Sequence, residues 1–343
     1  MRAPSSVPPP PVPDHQSAAD ADHHATSLVA PQLAEVEDVL RGCTRVPEIP
    51  LLEEVLGAVL LAPGKRLRPA LALHVAQIVG GRPEAVAKLA AATEVLHSAT
   101  LVHDDIVDSS PERRGQPAVH VMWSQKIAVL AGDYLFATAA DLVAQLDQPV
   151  IVRLFAATIH DMSTSEFVTP SYDDDGDRAR EQYLRKIGHK TASLFALACE
   201  AAAVLGDVPA DEREAFRDLG WSLGMAFQIT DDILDISGLV AETGKPVGTD
   251  LRAGLVTLPV ILYLGDREGD DDPVRAVLTG KATDDADVMQ ALDAIKSSGA
   301  VEEAAVVAGR YAAQARAALD RVRPSPSRES FAAFIHQATE RTR

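Results

Sequence analysis

The sequence predicts an all-α protein, a single-domain helical bundle around a central cavity. Apolar residues recur at helical spacing, as at Leu89, Ala92, Leu96 and Ala99, and clear strand-like alternation with Val, Thr and Tyr is absent. Aromatic residues make up only 4% of the 343 residues, whereas 47% are hydrophobic, which suffices for a sizeable core. Length alone allows two domains. Two matching acidic clusters favour one domain, because they need to meet in one cavity.

The N-terminal segment differs in composition from the rest of the chain. Residues 1–28 are rich in Pro, Ala, Asp and His and lack the apolar run of a signal peptide. We therefore predict a disordered tail over residues 1–28 and a folded domain over residues 29–343.

Breaker residues place the elements of this domain in order. Pro69 fits the first turn of a helix, and Gly80-Gly81 fits the end of that helix. Apolar runs at helical spacing between such breakers are predicted to be helices, and the polar or Gly-rich stretches to be loops. The other predicted helices cover 33–61 with an interruption near Pro47 and Pro50, then 83–108, 119–146, 149–168, 179–205, 211–237 and most of the chain from Thr257 to Arg341. The predicted loops cover 109–117, 169–178, 238–253, 266–272 and 324–327.

Charge and cysteine content exclude several classes of protein. The net charge is −18, which excludes nucleic acid as a partner. Cys43 and Cys199 are the only cysteines, so neither a disulfide scaffold nor a zinc site is expected, and a cytoplasmic location is predicted. No run approaches the ~18 consecutive apolar residues of a membrane-spanning helix, so no transmembrane segment is predicted.

Two acidic clusters of the same form end two apolar stretches that lie far apart in the chain. Their members are Asp104, Asp105 and Asp108 in the first, and Asp231, Asp232 and Asp235 in the second. Residues four apart share a helix face, where like charges repel unless a cation neutralises them. Ligands that are all oxygen favour magnesium. A single such cluster is more often a solvated helix face, but two copies indicate a metal site.

Basic segments accompany the acidic clusters. Arg113-Arg114 follows the first cluster, Gly244-Lys245 follows the second, and Lys65 to Arg68 adds a further group of cations. Cations beside a metal site indicate a diphosphate bridged by metal. We interpret Arg66 as a surface residue. The contiguous run Asp173 to Asp175 fans its carboxylates outward and is interpreted as solvated surface, not as a third metal site.

With these motifs the sequence resembles the trans-isoprenyl diphosphate synthases, or polyprenyl synthetases. The resemblance runs from about residue 50 to the C-terminus, in the family's order and spacing. The matching segments are Gly64-Lys-Arg-Leu-Arg-Pro69, His97 to Asp108, Arg113-Arg-Gly115, Ala131-Gly-Asp-Tyr134, Lys190-Thr191, Phe227 to Asp235 and Gly244 to Arg252.

The resemblance implies the isoprenoid synthase fold and a chain-elongating prenyltransferase. Such an enzyme condenses isopentenyl diphosphate with an allylic diphosphate to give an all-trans polyprenyl diphosphate. Asp104, Asp108 and Asp231 are the implied principal Mg²⁺ ligands, and Asp105, Asp232 and Asp235 are implied to act directly or through metal-bound water. The other implied roles are allylic diphosphate binding by Arg113, Lys190 and Lys245, isopentenyl diphosphate binding by Lys65, Arg68, His97 and Arg114, and stabilisation of the allyl cation by Thr191 and Gln228.

The sequence departs from the family pattern at two places, and three alternative functions stay open. Leu255 stands where the family usually carries a lysine, and Ser165-Glu166 stands where it tends to carry Gly-Glu. A class I terpene cyclase normally has one such aspartate cluster with an Asn-containing second motif, and a non-catalytic subunit tends to lose one cluster. The resemblance also implies a homodimer, and an apolar product allows peripheral contact with a membrane.

The third alternative concerns product length. In the family, an aromatic residue about one turn before the first acidic cluster closes the product tunnel early. Here Ala99 and Thr100 are small and Leu96 lies one turn deeper, which favours a long-chain product. A deeper floor from the helix around Leu130 to Phe136 would instead stop elongation at geranylgeranyl diphosphate.

Overall fold

The computed structural model describes residues 29–113, 115–238, 247–265, 267 and 272–339. Residues 337–339 are described by their backbone alone. Regular secondary structure among these residues is helical, apart from one two-stranded antiparallel hairpin of β1 (Glu112–Arg113) and β2 (Gln116–Pro117). The predicted all-α class is therefore confirmed. The predicted tail over 1–28, together with Arg114 and Lys245, lies outside the described residues.

The helices follow the order of the chain and are labelled here from α1 to α16. Their bounds are α1 Ala30–Cys43, α2 Pro50–Leu60, α3 Leu67–Val79, α4 Pro83–Val107, α5 Val119–Met122, α6 Gln125–Ala144, α7 Pro149–Ser165, α8 Gly176–Ile187, α9 Ser193–Leu205, α10 Ala210–Ser237, α11 Thr249–Arg252, α12 Leu258–Leu264, α13 Pro273–Leu278, α14 Asp285–Ser297, α15 Ala300–Asp320 and α16 Pro326–Thr339. A π-helical segment, Gly188–Ala192, joins α8 to α9.

Two apolar clusters form the core, and α10 contributes to both. The larger cluster packs α3, α4, α6 and α9 together and takes Phe216, Leu219 and Leu223 from the first half of α10. The smaller cluster packs α12, α14 and α15 and takes Ile229 and Ile233 from the second half. The two acidic clusters lie at the end of α4 and near the end of α10, so these helices carry the proposed chemistry.

Local hydrogen bonds explain where the elements differ from the predicted boundaries. The predicted helix over 119–146 is interrupted after α5, because the Ser124 hydroxyl accepts a hydrogen bond from Ile127 N and caps α6. Within the acidic run, Asp175 accepts a hydrogen bond from Arg178 N at 3.0 Å, so α8 begins at Gly176 instead of near residue 179. The predicted loop 109–117 contains the hairpin, and the predicted loop 238–253 contains α11.

Helices α4 and α6 are long and apolar enough to cross a membrane by length and composition alone. Helix α4 is mostly buried inside the protein, which accounts for its apolar character. Helix α6 leaves most of its apolar window exposed, including Val129 and Leu130. Its outer face therefore presents apolar side chains to the surface.

Candidate active site

Two cations pair with the first two aspartates of the first acidic cluster. Lys190 Nζ lies 3.3 Å from Asp104 Oδ2 and 2.8 Å from Glu166 Oε1, so it bridges the end of α4 to the end of α7. The guanidinium of Arg113 donates to Asp105 Oδ1 through two nitrogens, at 2.8 Å from Nε. These pairs allow two adjacent carboxylates to be largely buried without an uncompensated charge.

The protonation of this cluster follows from its surroundings. Burial raises the pKa of the Asp104 carboxyl, and the Lys190 ammonium only partly opposes that rise. Burial lowers the pKa of Lys190, but Asp104 and Glu166 outweigh it, so the net shift is upward. Lys190 therefore stays charged near neutral pH and is available to bind an anion.

The π-helical segment places Lys190 and Thr191 next to α10. A Cβ atom added at Gly224 would come within 2.6 Å of Ala192 Cα, so only glycine lets the two backbones approach this closely. π-helical turns occur often at functional sites because they redirect consecutive side chains. Here the result is a hydrogen bond from Thr191 Oγ1 to Gln228 Oε1 at 2.8 Å.

Asp232, the middle residue of the second acidic cluster, is bonded to neutral donors. Asp232 is buried and accepts hydrogen bonds from Tyr183 Oη at 2.6 Å and from Gln228 Nε2 at 2.9 Å. Burial, followed by the nearby charge of Asp250, raises the pKa of Asp232 to about 8. Burial and the Asp232 carboxylate likewise raise the pKa of Tyr183 well above its usual value, so Tyr183 remains a donor.

The outer aspartates of the second cluster have separate environments. Asp231 is half-buried one residue before Asp232. Asp235 accepts hydrogen bonds from Thr249 N and Asp250 N, both at 3.0 Å, and its backbone carbonyl accepts from Gly248 N at 2.7 Å. Asp235 therefore caps α11 from a distance of fourteen residues in the chain.

Neighbouring residues connect the two clusters into one site. Lys190 contacts Asp104 of the first cluster, and Thr191 contacts Gln228, which in turn contacts Asp232 of the second. In the described part of the chain, no three His, Cys, Asp or Glu side chains converge as a complete metal site. The donor set still fits magnesium, which binds through one or two carboxylates, water and substrate phosphate.

The predicted isopentenyl diphosphate residues lie at the start of α3 and on α4, seven residues before Asp104. Lys65 is exposed just before α3, and His97 is half-buried on α4. The Arg68 guanidinium lies over the Phe195 ring, 5.0 Å from its centroid. The interpretation of Arg66 as a surface residue is wrong, because its side chain is only 9% exposed and pairs with Glu37 and Glu94.

The residues predicted to govern product length are mostly inside the protein. Leu96 and Ala99 are fully buried, and Thr100 is half-buried with its hydroxyl donating to His97 O. The proposed deeper floor cannot include Leu130 within one chain, because that side chain is 52% exposed. Phe136 could still form that floor. Its ring contacts the His103 ring at 5.6 Å between centroids.

Sequence reasoning missed the roles of Tyr183 and Asp250. The spacing of Ala179, Tyr183 and Ile187 marks one buried face of α8, and a buried tyrosine hydroxyl requires a partner. That signal was readable, but the identity of the partner, Asp232, was not, since it lies 49 residues away. The role of Glu166 as a second anion for Lys190 likewise depends on how α7 ends.

Comparison with known proteins identifies the family of this chain. The sequence model of the family described as polyprenyl synthetase matches residues 49–295. Nonaprenyl diphosphate synthase of Mycobacterium tuberculosis is 38% identical over 300 residues, which cover 86% of this chain and 89% of that protein.

Solved structures show the same fold. A polyprenyl synthase of Caulobacter crescentus, complexed with calcium and isoprenyl diphosphate, is 33% identical with a TM-score of 0.86, covering 93% of this chain and 98% of that chain. A decaprenyl diphosphate synthase of Rhodobacter capsulatus is also 33% identical with a TM-score of 0.86, covering 94% and 99%. The chain therefore has the predicted isoprenoid synthase fold and belongs to the polyprenyl synthetase family.

Proposed function

We propose that this protein is a magnesium-dependent, chain-elongating prenyltransferase that makes a long-chain all-trans polyprenyl diphosphate. The observation that carries this proposal is the contact path from Asp104 through Lys190 and Thr191 to Gln228 and Asp232. It holds two acidic clusters and a cation around one space, as ionisation of a diphosphate ester requires. The substrates are isopentenyl diphosphate and an allylic diphosphate.

The side chains divide the work of ionisation between them. Bound Mg²⁺, held by Asp104, Asp108 and Asp231, would supply positive charge against the leaving pyrophosphate. Lys190 and Arg113 would bind the same diphosphate through charge-assisted hydrogen bonds. Both already lie against carboxylates of the first cluster, so their ammonium and guanidinium groups are oriented before substrate arrives.

The developing allyl cation would be stabilised by neutral oxygens. The Thr191 hydroxyl and the Gln228 amide are bonded to each other at 2.8 Å, which fixes both side chains. Their oxygen lone pairs favour positive charge nearby without reacting as strong nucleophiles. Isopentenyl diphosphate, bound by Lys65, Arg68, His97 and Arg114, would attack the cation, and the final proton would pass to pyrophosphate.

A long-chain product is favoured by the small side chain of Ala99. Ala99 is fully buried on α4, five residues before Asp104, where a larger side chain would intrude among neighbouring helices. The relatives described as nonaprenyl and decaprenyl diphosphate synthases support the same product class. Ala99→Tyr should shorten the product while turnover survives, whereas an active variant with unchanged product length would remove Ala99 from the tunnel wall.

The test of the proposed activity uses the purified chain with isopentenyl diphosphate and several allylic primers. Consumption of isopentenyl diphosphate that requires Mg²⁺, with products longer than geranylgeranyl diphosphate, is the expected result. Products that stop at geranylgeranyl diphosphate would establish the shorter-chain alternative. Cyclic products from the primer alone would indicate a terpene cyclase, and no turnover without a second protein would indicate a non-catalytic subunit.

The outer face of α6 supports a homodimer as the working assembly. Val129, Leu130 and Tyr134 are exposed there, and Val121 and Met122 of α5 are exposed nearby. Adjacent exposed apolar side chains typically mark an interface, and a second copy of this chain presents a matching face. Leu130→Glu should shift the protein from dimer to monomer in sedimentation experiments, whereas an unchanged dimer would place the interface elsewhere.

The proposal includes a cytoplasmic location and peripheral contact with a membrane. Two cysteines, one of them fully buried, fit a reducing compartment. A product with a long apolar chain would draw the enzyme towards a bilayer without a spanning helix. Fractionation of cells into soluble and membrane portions, with a high-salt wash of the membranes, tests both statements.

A further inference from the structure

The side chain of Arg66 is held by three different helices. Its Nε donates to Glu37 Oε1 of α1 at 2.7 Å, and its Nη1 donates to Glu94 Oε1 of α4 at 2.8 Å. Its Nη2 donates to the carbonyl oxygen of Leu60, the last residue of α2, at 2.8 Å. The guanidinium therefore joins α1, α2 and α4 at the point where the chain enters α3.

This arrangement is locally unfavourable. Arg66 has a left-handed backbone conformation, with φ 47° and ψ 40°, which non-glycine residues adopt at a cost. The Arg66 side chain is 9% exposed and that of Glu94 is 3% exposed, so both charges have lost most of their contact with water. Buried ion pairs generally add little stability compared with apolar residues, although breaking one is costly. Strain and a buried charge at one residue indicate that its geometry serves something other than stability.

The residues beside Arg66 are those that the family resemblance implies for isopentenyl diphosphate. Lys65 precedes Arg66 directly, and Arg68 follows it within the first turn of α3. On α4, His97 lies three residues after Glu94 and so shares its helix face. The Arg66–Glu94 pair therefore fixes the segment that carries Lys65 and Arg68 against the face of α4 that carries His97.

A second contact, made by Arg68, fixes the same segment. The Arg68 guanidinium lies over Phe195 of α9, and the Phe195 ring contacts the Phe227 ring of α10 at 5.5 Å between centroids. Phe227 directly precedes Gln228. The segment Lys65 to Arg68 is thus held between α4 and the helices that carry the rest of the candidate site.

We propose that Arg66 and Glu94 are positioning residues for the isopentenyl diphosphate subsite, acting through Lys65, Arg68 and His97 without touching substrate. This inference rests on the proposed function, since it assigns the basic segment to that substrate. The residues implied for the allylic diphosphate, Lys190 and Arg113, lie on other elements. Loss of the Arg66–Glu94 pair should therefore weaken one substrate much more than the other.

The experiment measures KM for each substrate and kcat in Arg66→Met, Arg66→Lys and Glu94→Gln. We expect the KM for isopentenyl diphosphate to rise about tenfold or more in Arg66→Met and Glu94→Gln, and the KM for the allylic substrate to change less than about threefold. Arg66→Lys should recover only part of the loss, because one ammonium cannot reproduce three hydrogen bonds in the directions of a guanidinium.

Two further variants separate positioning from stability. Glu37→Gln removes the more exposed partner of Arg66 and should give a smaller change of the same kind, which also decides the question if Arg66→Met does not fold. Arg328→Met breaks an unrelated ion pair with Asp320 between α15 and α16 and should leave both KM values unchanged. A purely structural role would lower the amount of folded enzyme and hence the apparent kcat, without moving either KM.

The outcomes also separate this inference from the proposed function. Parallel increases of both KM values, or a fall in kcat alone, in variants of an active wild-type enzyme would overturn the positioning role only. A wild-type protein that consumes no isopentenyl diphosphate with Mg²⁺ would overturn the proposed function, and this inference with it.

Discussion

The two acidic clusters have the same sequence pattern, but their buried middle aspartates, Asp105 and Asp232, have different hydrogen-bond partners. In the first, Asp104 and Asp105 are paired with the cations Lys190 and Arg113. In the second, the partners of Asp232 among the described residues are the neutral side chains of Tyr183 and Gln228. A shared motif therefore does not determine which groups surround each carboxylate.

The difference follows from the elements that each cluster faces. The end of α4 faces the π-helical segment and the hairpin, which supply Lys190 and Arg113. The second half of α10 faces α8 and α11, which supply Tyr183 and another carboxylate, Asp250. Two carboxylates of the first cluster are thus paired with protein cations, whereas the described hydrogen-bond partners of Asp232 are neutral.

The largest expected effect comes from removing the leading aspartate of each cluster. Asp104→Ala and Asp231→Ala should each lower kcat at least about a hundredfold at saturating Mg²⁺, because each ~1.4 kcal/mol of lost transition-state stabilisation is tenfold in rate. Steady-state rates for purified variants check this. A rate near that of the wild type in either variant would show that the corresponding cluster does not hold the catalytic metal.

A smaller effect separates the cationic surroundings from the neutral ones. Lys190→Met should lower kcat/KM for the allylic substrate about ten- to hundredfold, since a hydrogen bond to a charged group is worth ~1.5–3 kcal/mol. Gln228→Leu should cost about tenfold or less, because a neutral hydrogen bond contributes ~0.5–1.5 kcal/mol. A larger loss in Gln228→Leu than in Lys190→Met would place the dominant electrostatic contribution at the second cluster.

The sequence predicted the main helices and the acidic clusters, because both depend on local patterns. Breaker residues located the ends of α3 and the start of α4, and the i, i+4 spacing placed Gln228 on the face of Asp232. The role of Arg66 was missed because its partners, Glu37 and Glu94, lie 29 and 28 residues away. A charged residue in a basic run gives no local sign that tertiary contacts will bury it.

The burial of Asp232 in the second cluster also predicts that the folding stability of the metal-free protein depends on pH. The pKa of Asp232 is about 8 in the folded state because of burial and Asp250, well above the ~3.9 of an unfolded chain. Between those values the folded state binds a proton that the unfolded state lacks, so stability falls as pH rises. Asp104, whose pKa is also raised, contributes in the same direction.

Asp232→Asn should remove the Asp232 part of this dependence while keeping an acceptor for Gln228. Thermal midpoints of metal-free wild type and Asp232→Asn, measured from pH ~5 to ~8, should fall more steeply for the wild type. Asp105→Asn, which removes the ion pair with Arg113, serves as the comparison from the first cluster. Equal slopes for the wild type and Asp232→Asn would mean that Asp232 is ionised throughout this range.

The smallest expected effect concerns the last aspartate of each cluster. Asp235 accepts hydrogen bonds from two backbone amides at the start of α11, whereas Asp108 is exposed just beyond the end of α4 and raises the pKa of Asp104 by repulsion. Removing a helix cap costs ~1 kcal/mol. Asp235→Ala should therefore lower the free energy of unfolding by about 1 kcal/mol in urea titrations without metal, and Asp108→Ala should not lower it. A cost for Asp108→Ala as large as that for Asp235→Ala would mean that the two final aspartates do equivalent structural work, and the asymmetry between the clusters would then be confined to their first two members.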